Sequence, residues 1–288
     1  MATLLEYLVP PVWPTFATMR RSLCAGTVAA GLASFAIGTR TNTCQAAAGL
    51  QGKKALVFGG TSGIGLATAI KLRNEGADVL AISRDPKKAA AVADANDIGL
   101  ARCDVRDRDA LDALVKQHAP VDIIIAAATG GKRAVGPFLT MDMDAYQASF
   151  DKLWGYANIV RYGTPHMAED GCVVLVSGAP ARKAKQGQVS LASVGAAVEQ
   201  FARTLAPEIA PRRINVVSPG IIATPMFGDA TDERSAKLTN ATANHLIPRA
   251  GLPEEVAEAV MFVVKNKFVT GTTVDVDGGW LTGPRVGG

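Results

Sequence analysis

Apolar residues follow two rhythms along this chain. Short runs rich in valine, isoleucine and alanine alternate with longer stretches whose apolar positions recur every three or four residues. The first rhythm predicts strands and the second predicts helices. From Lys53 onward the reading is strand Ala55–Phe58, helix Ile64–Asn74 closed by Gly76, strand Asp78–Ile82, helix Pro86–Asn96 and strand Gly99–Cys103. A helix with Leu111, Leu114 and Val115 on one face follows. Val121–Ile125 is almost wholly apolar, as expected of a strand buried on both faces. One long helix is predicted over Ala145–Met167, then strand Cys172–Val176, helix Leu191–Ile209 and strand Ile214–Val217. The polar segment Phe227–Leu246 is expected to act as a lid. Helix Pro253–Val264 and strand Thr272–Val276 complete the alternation, and no internal repeat is present. This rhythm predicts a single-domain α/β fold, a doubly wound parallel sheet that binds ligands at the carboxyl ends of its strands.

The stretch from Ala55 to Gly65 carries the first candidate chemistry. An apolar strand stops at glycines and a helical pattern begins. The turn Gly59-Gly60-Thr61-Ser62-Gly63-Ile64-Gly65 therefore sits at a helix N-terminus. Unpaired amides and positive partial charge there suit a pyrophosphate. Gly59, Gly63 and Gly65 let backbone approach phosphate and helix approach strand. Such a triplet also fits an ordinary strand-to-helix turn. The second strand one helix later favours dinucleotide binding.

Composition narrows the function classes. A chain of 288 residues with 48% hydrophobic and 19% charged residues is globular with a sizeable core. Its net charge of +4 is mild, and no basic stripe with interleaved aromatics is present, so no nucleic-acid partner is expected. Cys24, Cys44, Cys103 and Cys172 are scattered without a CxxC pair, and His118, His166 and His245 lie far apart. No disulfide framework and no metal site is expected.

Residues 1–50 differ from the body over 51–288. They hold one acid, Glu6, then Met19-Arg20-Arg21-Ser22, a weakly apolar stretch Leu23–Gly38 and small residues over Gln45–Gly49. That order reads as a targeting segment: a twin-arginine export signal, most simply with a start at Met19, or an organelle transit peptide. A disordered extension of a cytoplasmic protein is the competing reading. A membrane span is not expected, because about 20 strongly apolar residues are needed.

The residues from Lys53 to Gly279 resemble the short-chain dehydrogenase/reductase family. The resemblance rests on the Gly59/Gly63/Gly65 spacing, Asp104-Val105 after the third strand, Pro219-Gly220-Ile221-Ile222-Ala223-Thr224 and Val276-Asp277-Gly278-Gly279. It implies a Rossmann-like fold, a nicotinamide cofactor, a small-molecule substrate and a homodimer or homotetramer. It also implies that Asp104 and Val105 flank the adenine, that Pro219, Gly220 and Ile222 lie near the nicotinamide, and that Thr224 bonds the carboxamide or a phosphate. Members that use NAD carry an acid at the end of the second strand; here Ser83 and Arg84 stand there. A hydroxyl and a guanidinium suit a 2′-phosphate, so NADP is expected, with Asp85 as cap of the next helix.

The catalytic positions depart from the family. Its Tyr-x-x-x-Lys pair aligns with Ser190 and Val194, and its Asn-Asn-Ala-Gly stretch reads Ala126-Ala127-Ala128-Thr129. The asparagine of the following helix aligns with Lys152. The family's serine survives as Ser177, thirteen residues before Ser190. A serine hydroxyl is a poor acid and valine carries no charge. The functional reading gives Lys152 the proton or charge, with Asp151 pairing a cationic substrate and Trp154 stacking on it. The competing reading makes Lys152 a surface charge and Trp154 a core or oligomer contact. The pattern Asp151-Lys152-Leu153-Trp154-Gly155 looks like a divergent branch of the family. Some of its fungal relatives reduce imines and guide a cycloaddition. The expected function is an NADP-dependent carbonyl or imine reductase with an atypical site. The alternatives are a non-redox nucleotide-binding sensor or scaffold, and a cofactor-assisted isomerase or cyclase.

Overall fold

The computed structural model of the protein describes residues 49–129 and 133–284. The targeting segment expected over 1–50 lies outside these but for Gly49 and Leu50. Leu50 belongs to the core and its amide bonds the Glu75 carbonyl. Seven strands appear in the expected places: β1 (Lys54–Phe58), β2 (Asp78–Ser83), β3 (Gly99–Arg102), β4 (Val121–Ala126), β5 (Met167–Val176), β6 (Arg213–Pro219) and β7 (Thr273–Val276). They form one sheet in the order β3-β2-β1-β4-β5-β6-β7, with every pairing parallel. The helices are α1 (Gly63–Asn74), α2 (Ala90–Ala95), α3 (Arg108–His118), α4 (Met143–Ser149), α5 (Asp151–Gly163), α6 (Val189–Ile209), α7 (Asp232–Thr242) and α8 (Pro253–Lys265).

Strand alternation sends side chains to opposite faces, and helices cover both. On one face Ala55, Val57, Ile123, Ile125 and Val174 pack with Leu72 of α1 and Val256 and Val260 of α8. On the other, Leu56, Phe58, Ile124 and Leu175 pack with Leu111 of α3, Ile159 of α5 and Val198 of α6. Each fully buried side chain of this size contributes about 1.5–3 kcal/mol. Local signals set the helix ends. The Asp107 carboxylate accepts the Ala110 amide at the start of α3, and Lys116 and His118 sit in its last turn. Strand order reverses between β1 and β4, which opens a crevice at their carboxyl ends.

Several expectations needed correction. The helix expected over Ala145–Met167 is two helices joined at Phe150, followed by a short 3₁₀ turn at Thr164–His166, and Met167 already begins β5. The Ser149 hydroxyl bonds back to the Ala145 carbonyl and accepts the Ala134 amide, and the Phe150 amide switches to Gln147. Such back-bonding bends helices. Pro86–Asn96 divides into a 3₁₀ turn, Pro86–Ala89, and α2. Asp85 precedes that turn without capping it through its side chain, and its carboxylate instead lies 3.6 Å from Lys88 Nζ. The segment Phe227–Leu246 contains α7, preceded by a 3₁₀ turn at Pro225–Phe227. His245 follows the end of α7, its amide donating to the Thr242 carbonyl, and is buried against Trp280. No helix among the described residues is long and apolar enough to cross a membrane, and no group of His, Cys, Asp or Glu among them is arranged to hold a metal ion.

Candidate active site

A cavity of about 860 Å³ opens at the carboxyl ends of the strands. One end is built from backbone. The turn after β1 leads into α1, and Gly59, Thr61, Ser62, Gly63, Ile64 and Gly65 all line the cavity. Gly59 has φ +81°, and a Cβ there would stand 2.6 Å from the Ala128 amide nitrogen. Glycine is required at that position on both counts. A Cβ on Gly65 would overlap the Gly59 carbonyl, so α1 starts this close to the turn only because Gly65 has no side chain.

The end of β2 offers a second polar pocket. Ser83 and Arg84 line the cavity, and the Ser83 hydroxyl is buried without a hydrogen-bond partner. A buried orphan hydroxyl costs roughly 1–3 kcal/mol, so a ligand oxygen fits there. Beyond β3, Asp104 and Val105 line the adjoining wall. Burial pulls the Asp104 carboxyl upward, but bonds from the Arg106 backbone and guanidinium outweigh it and hold the group below the usual carboxylate range. Asn158 donates to the Val105 carbonyl at 3.0 Å. Pro219, Gly220, Ile222 and Thr224 complete the lining from the end of β6. Every cofactor residue expected from the sequence therefore faces one cavity. Its glycine cradle and the Ser83-Arg84 pocket fit a phosphorylated dinucleotide.

The other end is built from side chains. Lys152, in the first turn of α5, donates to the Ser177 carbonyl at 3.2 Å, and its ammonium lies 5.6 Å from the centre of the Tyr156 ring one helical turn on. Burial, helped by the neighbouring Arg133 charge, brings the Lys152 pKa down to about 8. Tyr156 lines the cavity with its hydroxyl donating to the Val176 carbonyl, and burial pushes its pKa up, so it stays a phenol. Ser177 Oγ lies 3.1 Å from the Gly195 carbonyl and 3.2 Å from Glu199 Oε1. One hydroxyl proton serves one of these acceptors at a time. Burial raises the Glu199 pKa, against the pull of Arg182, whose Nε lies 3.1 Å from Oε2. Arg182 in turn pairs with Asp275 of β7.

Lys152 and Ser177 are thus brought together, but Asp151 is not with them. It leaves the cavity lining and pairs with Arg106 Nη1 at 2.8 Å. One residue along a helix turns the side chain by about 100°, enough to separate neighbours completely. Trp154 is 59% exposed and lies outside the cavity lining, so it belongs neither to the core nor to this wall. The Ser190 hydroxyl is buried and donates to the Ala134 carbonyl. Val194 is in the core, and Gly195 is the position that faces Ser177: a Cβ there would stand 3.3 Å from Ser177 Oγ. Helix α6 contains neither tyrosine nor lysine. Sequence reasoning missed Arg133, Tyr156 and Glu199 as site residues. Only Tyr156 carried a usable signal, its four-residue spacing from Lys152.

Comparison with known proteins gives a consistent picture. The family described as Enoyl-(Acyl carrier protein) reductase matches residues 59–281. The short-chain dehydrogenase/reductase ATR9 of Stachybotrys chlorohalonatus is 30% identical over 251 residues, covering 80% of this chain and 97% of the relative. A small-chain dehydrogenase solved in complex with NADPH is 26% identical, with TM-score 0.69, over 80% of this chain and 99% of that one. The MalC reductase/Diels-Alderase of Malbranchea aurantiaca is 27% identical, with TM-score 0.73, over 81% and 96% of the respective chains.

Proposed function

This chain belongs to the short-chain dehydrogenase/reductase family, and from that membership we propose that it is an NADP(H)-dependent oxidoreductase that acts on a carbonyl or imine, with Lys152 standing in for the family's tyrosine acid. The family is one of oxidoreductases that use nicotinamide cofactors. The observation that carries the finer reading is the Lys152 ammonium inside the cavity, beside Ser177 and with a pKa near 8.

The amides of the turn from Thr61 to Gly65 hold the pyrophosphate at the N-terminus of α1. Ser83 and Arg84 take the 2′-phosphate, by hydroxyl and guanidinium hydrogen bonds. Asp104 and Val105 border the adenine, and Pro219, Gly220, Ile222 and Thr224 border the nicotinamide. The bound cofactor supplies the hydride.

Lys152 supplies the proton. A general acid works best when its pKa is near the working pH, and burial has moved this lysine from 10.5 to about 8. The ammonium gives its proton to the oxygen or nitrogen of the reduced bond and is recharged from solvent. Ser177 orients that atom. Its own proton has acceptors within the protein at Gly195 and Glu199, so a lone pair is left for the cavity. A lone pair suits an imine N–H better than a bare carbonyl oxygen, which supports the imine reading. The likeness to MalC, described as a reductase/Diels-Alderase, supports reduction as the reaction class.

Two measurements test this. Calorimetry with NADPH and NADH is expected to show tighter NADPH binding, and stopped-flow oxidation of NADPH with a carbonyl and imine panel is expected to show turnover that Lys152→Ala loses. Equal turnover in wild type and Lys152→Ala would overturn the role of the lysine. Tight NADPH binding with no turnover on any panel member would favour a nucleotide-binding protein without redox activity.

A further inference from the structure

The half of the cavity beside β5 carries cations and no acids. Arg133, Lys152 and Lys185 line it. The carboxylates that line the cavity are Asp85 and Asp104, which follow β2 and β3 on the far side of β1 and β4. No carboxylate among the described residues pairs with Lys152 or Arg133. Glu199, the acid nearest to Ser177, lies behind the serine and is already paired with Arg182.

The backbone that follows Arg133 is held firmly. The next residue, Ala134, is pinned through both backbone groups: its amide donates to Ser149 Oγ at 2.9 Å, and its carbonyl accepts from the buried Ser190 hydroxyl. The Gly136 amide donates to the Gly187 carbonyl at 2.9 Å. Buried serines from α4 and α6 thus fix the backbone beside one arginine, in the region where the family places its tyrosine. Two like charges share this end: Lys152 is stripped of water and pulled toward its neutral form by burial and by the Arg133 charge, while Arg133 is exposed on the cavity wall with its guanidinium open to a ligand. Two neighbouring cations with no carboxylate partner among the described residues suit an anion between them. The cofactor phosphates are accounted for at the glycine turn and the Ser83-Arg84 pocket. The remaining anion is on the substrate.

We propose that the substrate carries a carboxylate close to the bond that is reduced, and that the Arg133 guanidinium receives it beside the Lys152 ammonium. The proposal rests on the cofactor reading given above. A guanidinium presents paired N–H donors that match the two oxygens of a carboxylate. Holding that group fixes the reactive bond against Lys152 and Ser177. It also neutralises Arg133, which makes Lys152 easier to keep protonated at the moment of proton transfer.

The test is ligand-observed NMR on the protein–NADPH complex with matched probes: 2-oxo-2-phenylacetate and a short series of arylacetates, each against its primary amide. The acids are expected to bind at least about tenfold more tightly than the amides, a difference of about 1.4 kcal/mol. Arg133→Gln is expected to bring the acids down to the level of the amides with NADPH affinity unchanged, and Arg133→Lys to restore part of the preference. Equal binding of acids and amides to wild type, or no binding of any acid, overturns the proposal. So does an Arg133→Gln variant that loses NADPH affinity instead, which would assign the arginine to the cofactor. Failure of the wild type to bind NADPH would strike the cofactor reading first and this inference with it.

Discussion

The two halves of the cavity are held together by different kinds of atom. Around β1 and β2 the wall is mostly main chain: glycines that admit close approach, helix amides and one arginine at a strand end. Around β5 and α6 the wall is mostly side chain, and Lys152, Tyr156 and Arg133 line it. In the proposed function the first half grips a diphosphate by backbone geometry, which depends on spacing. The second half is free to change because a proton donor needs only position and a suitable pKa, and more than one residue type supplies both.

The largest expected effect is at the glycine-turn end. Gly59→Ala forces a left-handed backbone on alanine and drives Cβ into the Ala128 amide. Strain of about 3 kcal/mol corresponds to roughly 100-fold weaker NADPH binding, measured by calorimetry. Retained affinity would mean that the turn is not the phosphate grip.

Next comes Lys152. Lys152→Ala should lower kcat by about 10²-fold with NADPH affinity little changed. The neutral variant Lys152→Met should also be more stable than wild type at pH 7, by about 2 kcal/mol, seen as a raised urea midpoint. The sign follows from linkage. The folded pKa is below the unfolded one, so below about pH 8 the folded protein carries the full penalty of a buried charge. The penalty fades as pH rises from about 8 toward 10.5, and the two proteins should converge there. The figure is discounted from the full shift because the side chain faces an open cavity. A lysine that costs stability and rate-limits nothing would remove the contrast between the two halves.

A smaller effect is expected for Arg84→Ala, which should weaken NADPH binding about tenfold and leave NADH binding unaltered. The smallest belongs to Asp151→Asn. Its ion pair with Arg106 is partly exposed, so stability should fall by less than about 1 kcal/mol in chemical denaturation, with turnover unaffected.

The same contrast explains what could be read from the sequence. Alternating strands and helices, the glycine turn and the residues at the strand ends are legible because each follows from local spacing. The break at Phe150 was not, because apolar periodicity runs through a single changed hydrogen bond; the cause is a serine that bonds both to Ala145 and to a distant loop. Asp151, expected to pair a cationic substrate, pairs instead with Arg106, a partner 45 residues away that no local pattern reveals. Arg133 precedes Ala134, whose backbone is held by Ser149 and Ser190, residues that are distant in sequence. Glu199 reads as one more polar residue on an amphipathic helix until Arg182 and Ser177 are seen on either side of it.

The account depends most on a lysine that titrates near neutrality at the reacting end of the cavity. Labelling lysine with ¹³C at Cε and following the Lys152 signal through pH 6 to 11 by NMR, with the signal assigned by its loss in Lys152→Met, measures that directly. A midpoint near 8 that moves upward in Arg133→Gln is the predicted result, and a midpoint above 10, unmoved by Arg133→Gln, would contradict it.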